Sequence, residues 1–330
     1  MKKNTTQRLT AYLALTIGFV TQLLAQTGTT GYEFLNIPVS AHSAALGGNN
    51  LSIIEDDVTL LYTNPALLTN VSDRTLNFNY MSYMSSSNKL SATYVWHHGD
   101  RGTWGVGAQV LNYGKMTETN ANFEQTGSFS ANDIAIQGGY TYQLSDRWTG
   151  GAQGKLLMSH YGDYSATAIA ADLALNYFDE DRGFSLGIVA QNLGGEVNPL
   201  YEQHRKLPFN LAVGFSKDFA NAPIRISCTL SDLTHWSKDY YAIAGHDISG
   251  TRRLSNHLSF GADIFPSSQT WVAIGYNCRR AYEMKVQDKS HWAGLSLGGG
   301  IAIKKFKISV AYAKYHIASS SFIANASYVF

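Results

Sequence analysis

Proline is scarce in this chain, six in 330 residues, and cysteine scarcer, with two. Charge is also modest: 15% of residues are Asp, Glu, Lys or Arg, and the formal net charge is +1. That balance gives no reason to expect nucleic acid or an acidic substrate as a partner. No Cys lies near the amino terminus, which argues against a lipoprotein anchor. Cys228 and Cys278 fall on different expected strands with another strand between them, so they are expected to be free thiols facing outward. After residue 25 no apolar run is long enough for a spanning helix. The most informative absence is finer. No Asp, Glu, Lys or Arg occurs on one face of any of the strands that alternation predicts.

Those strands are best seen from the end of the chain. From Ser319 to Phe330, Phe322, Ala324, Ala326, Tyr328 and Phe330 fall on one face, and Ser321, Asn325 and Ser327 on the other. Period two means a strand with one apolar face. A closing strand with nothing after it needs a neighbour at its edge, and pairing with the first strand supplies one. Tyr328 and the terminal Phe330 resemble the insertion signal of bacterial outer-membrane barrels. The same alternation gives fourteen candidate strands, with apolar faces such as Leu76/Phe78/Tyr80, Leu90/Ala92/Tyr94 and Ile224/Ile226/Cys228. The opposite faces carry Gln109, Gln137, Gln153, Lys155, Asp172, Asp263 and Lys307 among many small residues. A Lys or Arg facing mid-bilayer costs roughly 2–4 kcal/mol, and a water-exposed surface has no such reason to avoid charge. The fold class expected is therefore all-β: a 14-stranded antiparallel transmembrane β-barrel, its small inward residues leaving room for a plug. Trp96, Trp104, Tyr142, Trp148 and Tyr312 suit interfacial girdles. A soluble β-sandwich is the competing fold, and so many long strands disfavour it.

Residues 1–25 read as a signal peptide: Lys2, Lys3 and Arg8 precede an apolar stretch that is short for a membrane helix. The remainder, 26–330, is one barrel domain, with a plug over 31–70 and strands over 74–330. The plug segment does not alternate. Ser40 to Leu46 predicts a short helix stopped by Gly47 and Gly48, Asn50 to Ile54 a brief strand, and Asn64-Pro65-Ala66 a helix start with Asn64 as cap. The acidic pair Asp56 and Asp57 is expected to anchor the plug to lumen cations such as Lys155 and Lys307, in preference to binding a metal. A periplasmic arm is the alternative to a plug. Connections alternate between short ones, such as Ser145 to Arg147, and longer ones: Tyr113 to Asn132, Leu193 to Leu207, Thr234 to Arg253 and Arg279 to Ser290. An even strand number then places both termini in the periplasm and the longer loops outside the cell.

No catalytic, cofactor or metal constellation stands out. Ser231, Asp232 and His235 invite a hydrolase reading, but such triads are recognised by spatial geometry. His97, His98 and Asp100 sit in a tight turn without a third ligand nearby. Gly150, Gly151 and Gly154 lack the strand-loop-helix context of a phosphate site. The longer loops hold charge among aromatics, namely Tyr201, Arg205, Lys206, Tyr240, Tyr241, Arg279, Arg280 and Tyr282. That mixture is enriched at protein interfaces and makes these residues candidates for a partner site.

The run from Phe34 to Gly48 (FLNIPVSAHSAALGG), then Asp56-Asp57, then Tyr62 to Leu68 (YTNPALL), resembles the opening of the PorV/PorQ branch of the FadL-like outer-membrane barrels of Bacteroidetes. The Asn-Pro-Ala step and the acidic pair are shared across FadL-like proteins; the Phe34–Ala41 part points to the branch. The resemblance implies a non-enzymatic component of the type IX secretion system. Its implied task is to hold a PorZ-like protein in a surface attachment complex with PorU-like and PorV-like proteins. That complex processes cargo bearing a C-terminal signal and joins it to lipopolysaccharide. The alternative is a FadL-type channel for uptake of hydrophobic small molecules, which shares the fold and the Asn-Pro-Ala step.

Overall fold

The fold is described from a computed structural model, covering residues 30–84, 87–200, 204–236, 248–284, 292–316 and 319–330. The expected signal peptide lies outside them. Fourteen antiparallel strands close into one barrel. They are β1 (Thr75–Ser82), β2 (Asn88–His98), β3 (Gly102–Thr119), β4 (Gln125–Gln143), β5 (Trp148–Tyr161), β6 (Tyr164–Asp179), β7 (Phe184–Asn198), β8 (Asn210–Asp218), β9 (Ile224–Leu230), β10 (Leu258–Ser267), β11 (Thr270–Asn277), β12 (Leu295–Ile303), β13 (Phe306–His316) and β14 (Ser319–Val329). Each pairs with its sequence neighbours, and β14 closes on β1 from Thr75↔Val329 to Ser82↔Phe322.

The uncharged faces point outward. Phe78, Leu90, Ile136, Leu173, Leu297, Val310 and Phe322 are all exposed, while their chain neighbours Asn77, Ser91, Gln137, Asp172, Ser296, Ala311 and Ser321 are buried. A continuous apolar belt of this size has no stable contact with water, and it matches the hydrocarbon of a bilayer. Cys228 keeps the outward parity but is covered by Phe215 and Phe260, its register partners on either side. Cys278 is not on a strand: it opens the Cys278–Glu283 helix. Both thiols are free.

Residues 30–71 fill the lumen. Ser40 caps the Ala41–Ala45 helix through the Ser43 N–H, and Gly47 and Gly48 end it at φ 96° and 91°. Asn64 caps the 3-10 turn Pro65–Asn70 through the Ala66 N–H, with Pro65 in its first turn. Asn50 to Ile54 is not the expected strand. The Asn50 side chain accepts from the Ser52 and Ile53 N–H groups and folds the backbone into a turn. The core of the molecule is the contact of this plug with the wall. Ala41, Ala44, Leu46 and Ile53 pack on Met81, Ala273, Ala311 and Ile323. Tyr32 and Phe34 pack on Leu111, Ala135, Leu157 and Ala168. The inner wall is thus apolar at these contacts, and not uniformly polar. Small inward residues set the fit: a Cβ on Gly151 would lie 2.5 Å from the Ala66 nitrogen, and one on Gly275 2.2 Å from the Gly47 nitrogen.

One of the expected long loops is largely strand, and another is partly so. β3 and β4 continue past the barrel to a tight tip at Asn120–Glu124, paired only with each other beyond Asn112 and Ala131. This hairpin projects roughly 20 Å, at about 3.4 Å per residue. β7 likewise runs to Asn198, so Leu193 to Glu196 belong to the wall. These stretches lack clean alternation because water bathes both their faces or a bulge breaks their register, as between Ala171 and Leu173 opposite β7. β1 starts and β14 ends at the mouth of the short turns. The plug crosses the lumen, however, and Thr30 stands at the opposite mouth, bridged to Lys206 with the Gly31 N–H donating to its carbonyl. The two ends of the described chain therefore lie at different mouths, because an even strand count constrains only the strands.

Candidate functional site

At the mouth of the long connections, a cavity of about 900 Å³ lies between the plug and the barrel rim. Its plug side is Leu35 to Val39 and Gly47 to Asn49. Its wall side comes from the ends of β7 and β8, the Ser231–His235 turn, and the Asn256–Ser259 and Asn277–Met284 stretches. The β7 wall is shaped by Asn192, which adopts φ 59° at the bulge. Its N–H donates to Asp172 at 2.7 Å, its amide NH₂ donates to the Pro208 carbonyl at 2.8 Å, and its amide oxygen accepts from Lys155 at 2.8 Å. One Asn thereby fixes both sides of the cavity's deep end.

The charged residues here are largely matched. Lys155 lies 2.7 Å from Asp172, so it does not meet the acidic pair of the plug as expected. Arg205 grips Glu196 at 2.9 Å and lies 5.0 Å above the Tyr32 ring. Burial pushes the Tyr32 hydroxyl pKa up, and Glu196 adds to the shift. Arg279 lies 2.9 Å from Asp232 and 2.7 Å from Glu283. Arg280 is buried, donates to the Ala293 carbonyl at 2.8 Å and covers Tyr315. Of the expected outer-loop residues, Arg205 and Arg280 are thus internal braces, because their guanidinium groups satisfy carbonyls and carboxylates that folding buries. Lys206 is exposed at the rim, and Tyr282 is half-buried under Arg252. Tyr201, Tyr240 and Tyr241 lie outside the described residues.

The Ser231 hydroxyl accepts from Asn49, and the Asp232 carboxylate faces Arg279. His97 Nε2 lies 2.8 Å from the Val71 carbonyl, which clasps the β2–β3 turn to the plug's end. Among the described residues no group of three or more His, Cys, Asp or Glu could hold a metal ion.

At the other mouth the plug is tied down ionically. Asp56 pairs with Lys307 and accepts from the Ser72 N–H at 2.7 Å. Its carboxyl pKa is lowered: burial would raise it, but the bonds from Lys307 and Ser72 outweigh that. Asp57 instead caps the Val58–Tyr62 turn through the Thr59 N–H, 2.9 Å away. Deeper in, buried His42 bridges Glu55 and Asp263, with Nε2 2.7 Å from Asp263 and its ring stacked on Trp271 at 3.9 Å. Arg225 completes the group, 2.8 Å from Asp263 and bonded to the Ile54 carbonyl. Burial works to strip the proton from His42, but Glu55 and Asp263 outweigh it and hold its pKa at about 10. Sequence reasoning missed this group. The pairing Arg225↔Asp263 on adjacent strands was its one readable signal.

No family model matches the sequence, and no curated protein matches it. Solved structures do. The Pseudomonas putida toluene transporter TodX superposes with a TM-score of 0.56 at 14% identity, over 88% of this chain and 98% of that one. The fold is FadL-like. The Ralstonia pickettii toluene transporter TbuX gives a TM-score of 0.57 at 14% identity, over 89% and 98% of the two chains. A Pseudomonas aeruginosa FadL homologue gives 0.56 at 12% identity, over 89% and 99%. At such identities the likeness concerns the path of a FadL-like chain, and the cavity has to be read from its own side chains.

Proposed function

We propose that this protein is a FadL-type barrel of a bacterial outer membrane and an uptake channel for small molecules, with the long connections outside the cell. The observation that carries this reading is the cavity of about 900 Å³ at the long-connection mouth, which lies within the range of small-molecule sites. It sits against the plug, so a captured molecule meets the one element whose displacement would open the lumen. Toluene transport by TodX and TbuX, barrels of similar fold, supports the class. The test is reconstitution of the purified barrel in liposomes, with influx of toluene and of labelled fatty acid measured against empty liposomes. Equal rates would refute the reading.

A second reading is the type IX secretion component implied by the Phe34–Gly48 run, acting on PorZ-like, PorU-like and PorV-like partners at lipopolysaccharide. The favouring observation is how firmly that run closes the lumen. Lys89 donates to the carbonyls of Phe34 and Ile37 at 3.1 and 2.6 Å, and the Ala41–Ala45 helix is packed on four wall residues. A sealed barrel suits a platform better than a conduit. Affinity purification of the tagged chain from native outer membranes decides it: co-purification of secretion components supports the platform, and their absence refutes it.

A further inference from the structure

The barrel gives no reason for the β3–β4 hairpin to stand beyond it. Past Ala131, β4 no longer has β5 beside it, and past Asn112, β3 no longer has β2. Among the described residues, the ribbon from Lys115 to Ser130 is therefore two strands with both edges bare. A lone two-stranded hairpin is marginal in water, and an unpaired edge is a template for another strand. The two edges are not alike. The β3 edge is guarded: a bulge between Asn112 and Lys115, with Gly114 at φ 80°, bends it, and Lys115 stands exposed there. The β4 edge is not. Gln125 to Ser130 (QTGSFS) carries no charge and no proline, and every one of these residues is exposed. Its one irregularity lies near the tip, opposite Glu118 and Thr119.

One bond fixes which way that edge faces. The Gly162 N–H donates to the Ser130 carbonyl at 3.0 Å, so the Ser130 backbone points away from β3. By alternation Ser128 points the same way, whereas Gly127 and Phe129 face β3. The ladder between β4 and β5 thus runs on past Ala131↔Tyr161 with vacant positions. The N–H groups of Ser128 and Ser130 have no partner among the described residues. We infer that these positions take an extended segment of another protein, laid as a third strand on β4 from the side that the long connections face. Phe129 is 36% exposed and opposes Met116, so the segment's apolar side chains belong on the face those two share.

A second copy of this chain does not fit the vacancy. Two barrels in one membrane point their hairpins the same way. Two β4 edges would then meet parallel about a two-fold axis, donor facing donor. The β3 edge of one copy could reach the β4 edge of another only at a spacing of about 10 Å, two strand widths, which is far less than a fourteen-stranded barrel allows.

The test is hydrogen–deuterium exchange of the full chain, labelled on intact cells and, separately, after purification in detergent, and read at single amides. The expected result is exchange at Ser128 and Ser130 slowed at least about tenfold on cells relative to the purified barrel. Phe129, bonded across to Met116, should be slow in both. Ser128→Pro deletes only an outward N–H, which an edge strand tolerates, so it should release Ser130 on cells and leave Phe129 slow. Equal exchange on cells and in detergent would mean a bare edge and would overturn the inference. So would protection that grows in detergent as the barrel is concentrated, which is a second copy, or protection that purified lipopolysaccharide restores. Should Ser128→Pro fail to fold, the wild-type comparison decides alone. Toluene influx into liposomes needs no third strand, so the channel reading stands or falls separately.

Discussion

A single methyl group at Gly275 should unseat the plug. Its Cβ would lie 2.2 Å from the Gly47 nitrogen, 2.3 Å from the Leu46 carbonyl carbon and 2.5 Å from the Ala45 oxygen. All three are backbone atoms, so no side chain can rotate out of the way. Nor can the Leu46–Gly47 turn slide off freely. The Gly47 N–H donates to the Ser296 hydroxyl at 3.1 Å, that hydroxyl donates to the Ala45 carbonyl at 2.9 Å, and Asn277 donates to the Gly47 carbonyl at 3.1 Å. Overpacking of this kind costs about 1–3 kcal/mol. At about 2–4 °C per kcal/mol for a domain of this size class, Gly275→Ala should lower the melting temperature by roughly 2–12 °C. Near-ultraviolet circular dichroism in detergent measures the shift. Conductance in planar bilayers should rise in parallel as the plug backs away. Gly154→Ala is the control, since a Cβ there meets nothing within 4 Å. If Gly275→Ala melts with Gly154→Ala and conducts no better, the plug is not held by backbone contact with β11, and the reasoning fails.

Three further outcomes follow from other parts of the molecule. Ile136→Lys places an ammonium on the exposed apolar belt and should reduce folding into bilayers by roughly 2–4 kcal/mol, read as the folded fraction on unboiled gels; undiminished insertion would mean that lipid does not contact that face. The folded-state pKa of His42 is raised from 6.5 to about 10, so its contribution to stability is full below about pH 6.5 and disappears as pH climbs through 10. The stability gap between wild type and His42→Gln should accordingly close in urea titrations above pH 10, and a gap unchanged at pH 11 contradicts the ionic tether. Phe123→Ser at the tip of the projecting hairpin should leave stability within about 0.5 kcal/mol, because Phe123 is 91% exposed; a larger loss in a chemical melt would show that the tip packs on something.

The strands were readable because the lipid-facing half of each one obeys a rule with almost no exceptions. Where that solvent ended, so did the legibility: Lys115 to Ser130 pair as well as any strand, yet water on both faces leaves no alternation to see. The plug was readable through local chemistry, namely the Ser40 cap, the Gly47–Gly48 stop and the Asn64-Pro65 start. Its attachments were not. His42 meets Asp263 across 221 residues, and only closure of the barrel brings them together. Arg205 and Arg280 show the same gap from the other side. As sequence they are charged loop residues, but Glu196 and the Ala293 carbonyl, which spacing could not locate, turn them inward.

The seam between β1 and β14 has a consequence for timing. Because Thr75 zips to Val329, every partial set of hairpins keeps two raw edges until the last strand leaves the ribosome. Thirteen strands can pair with one another but cannot finish the wall, and a chain lacking β14 should leave β1 and β13 open to any strand that will pair with them.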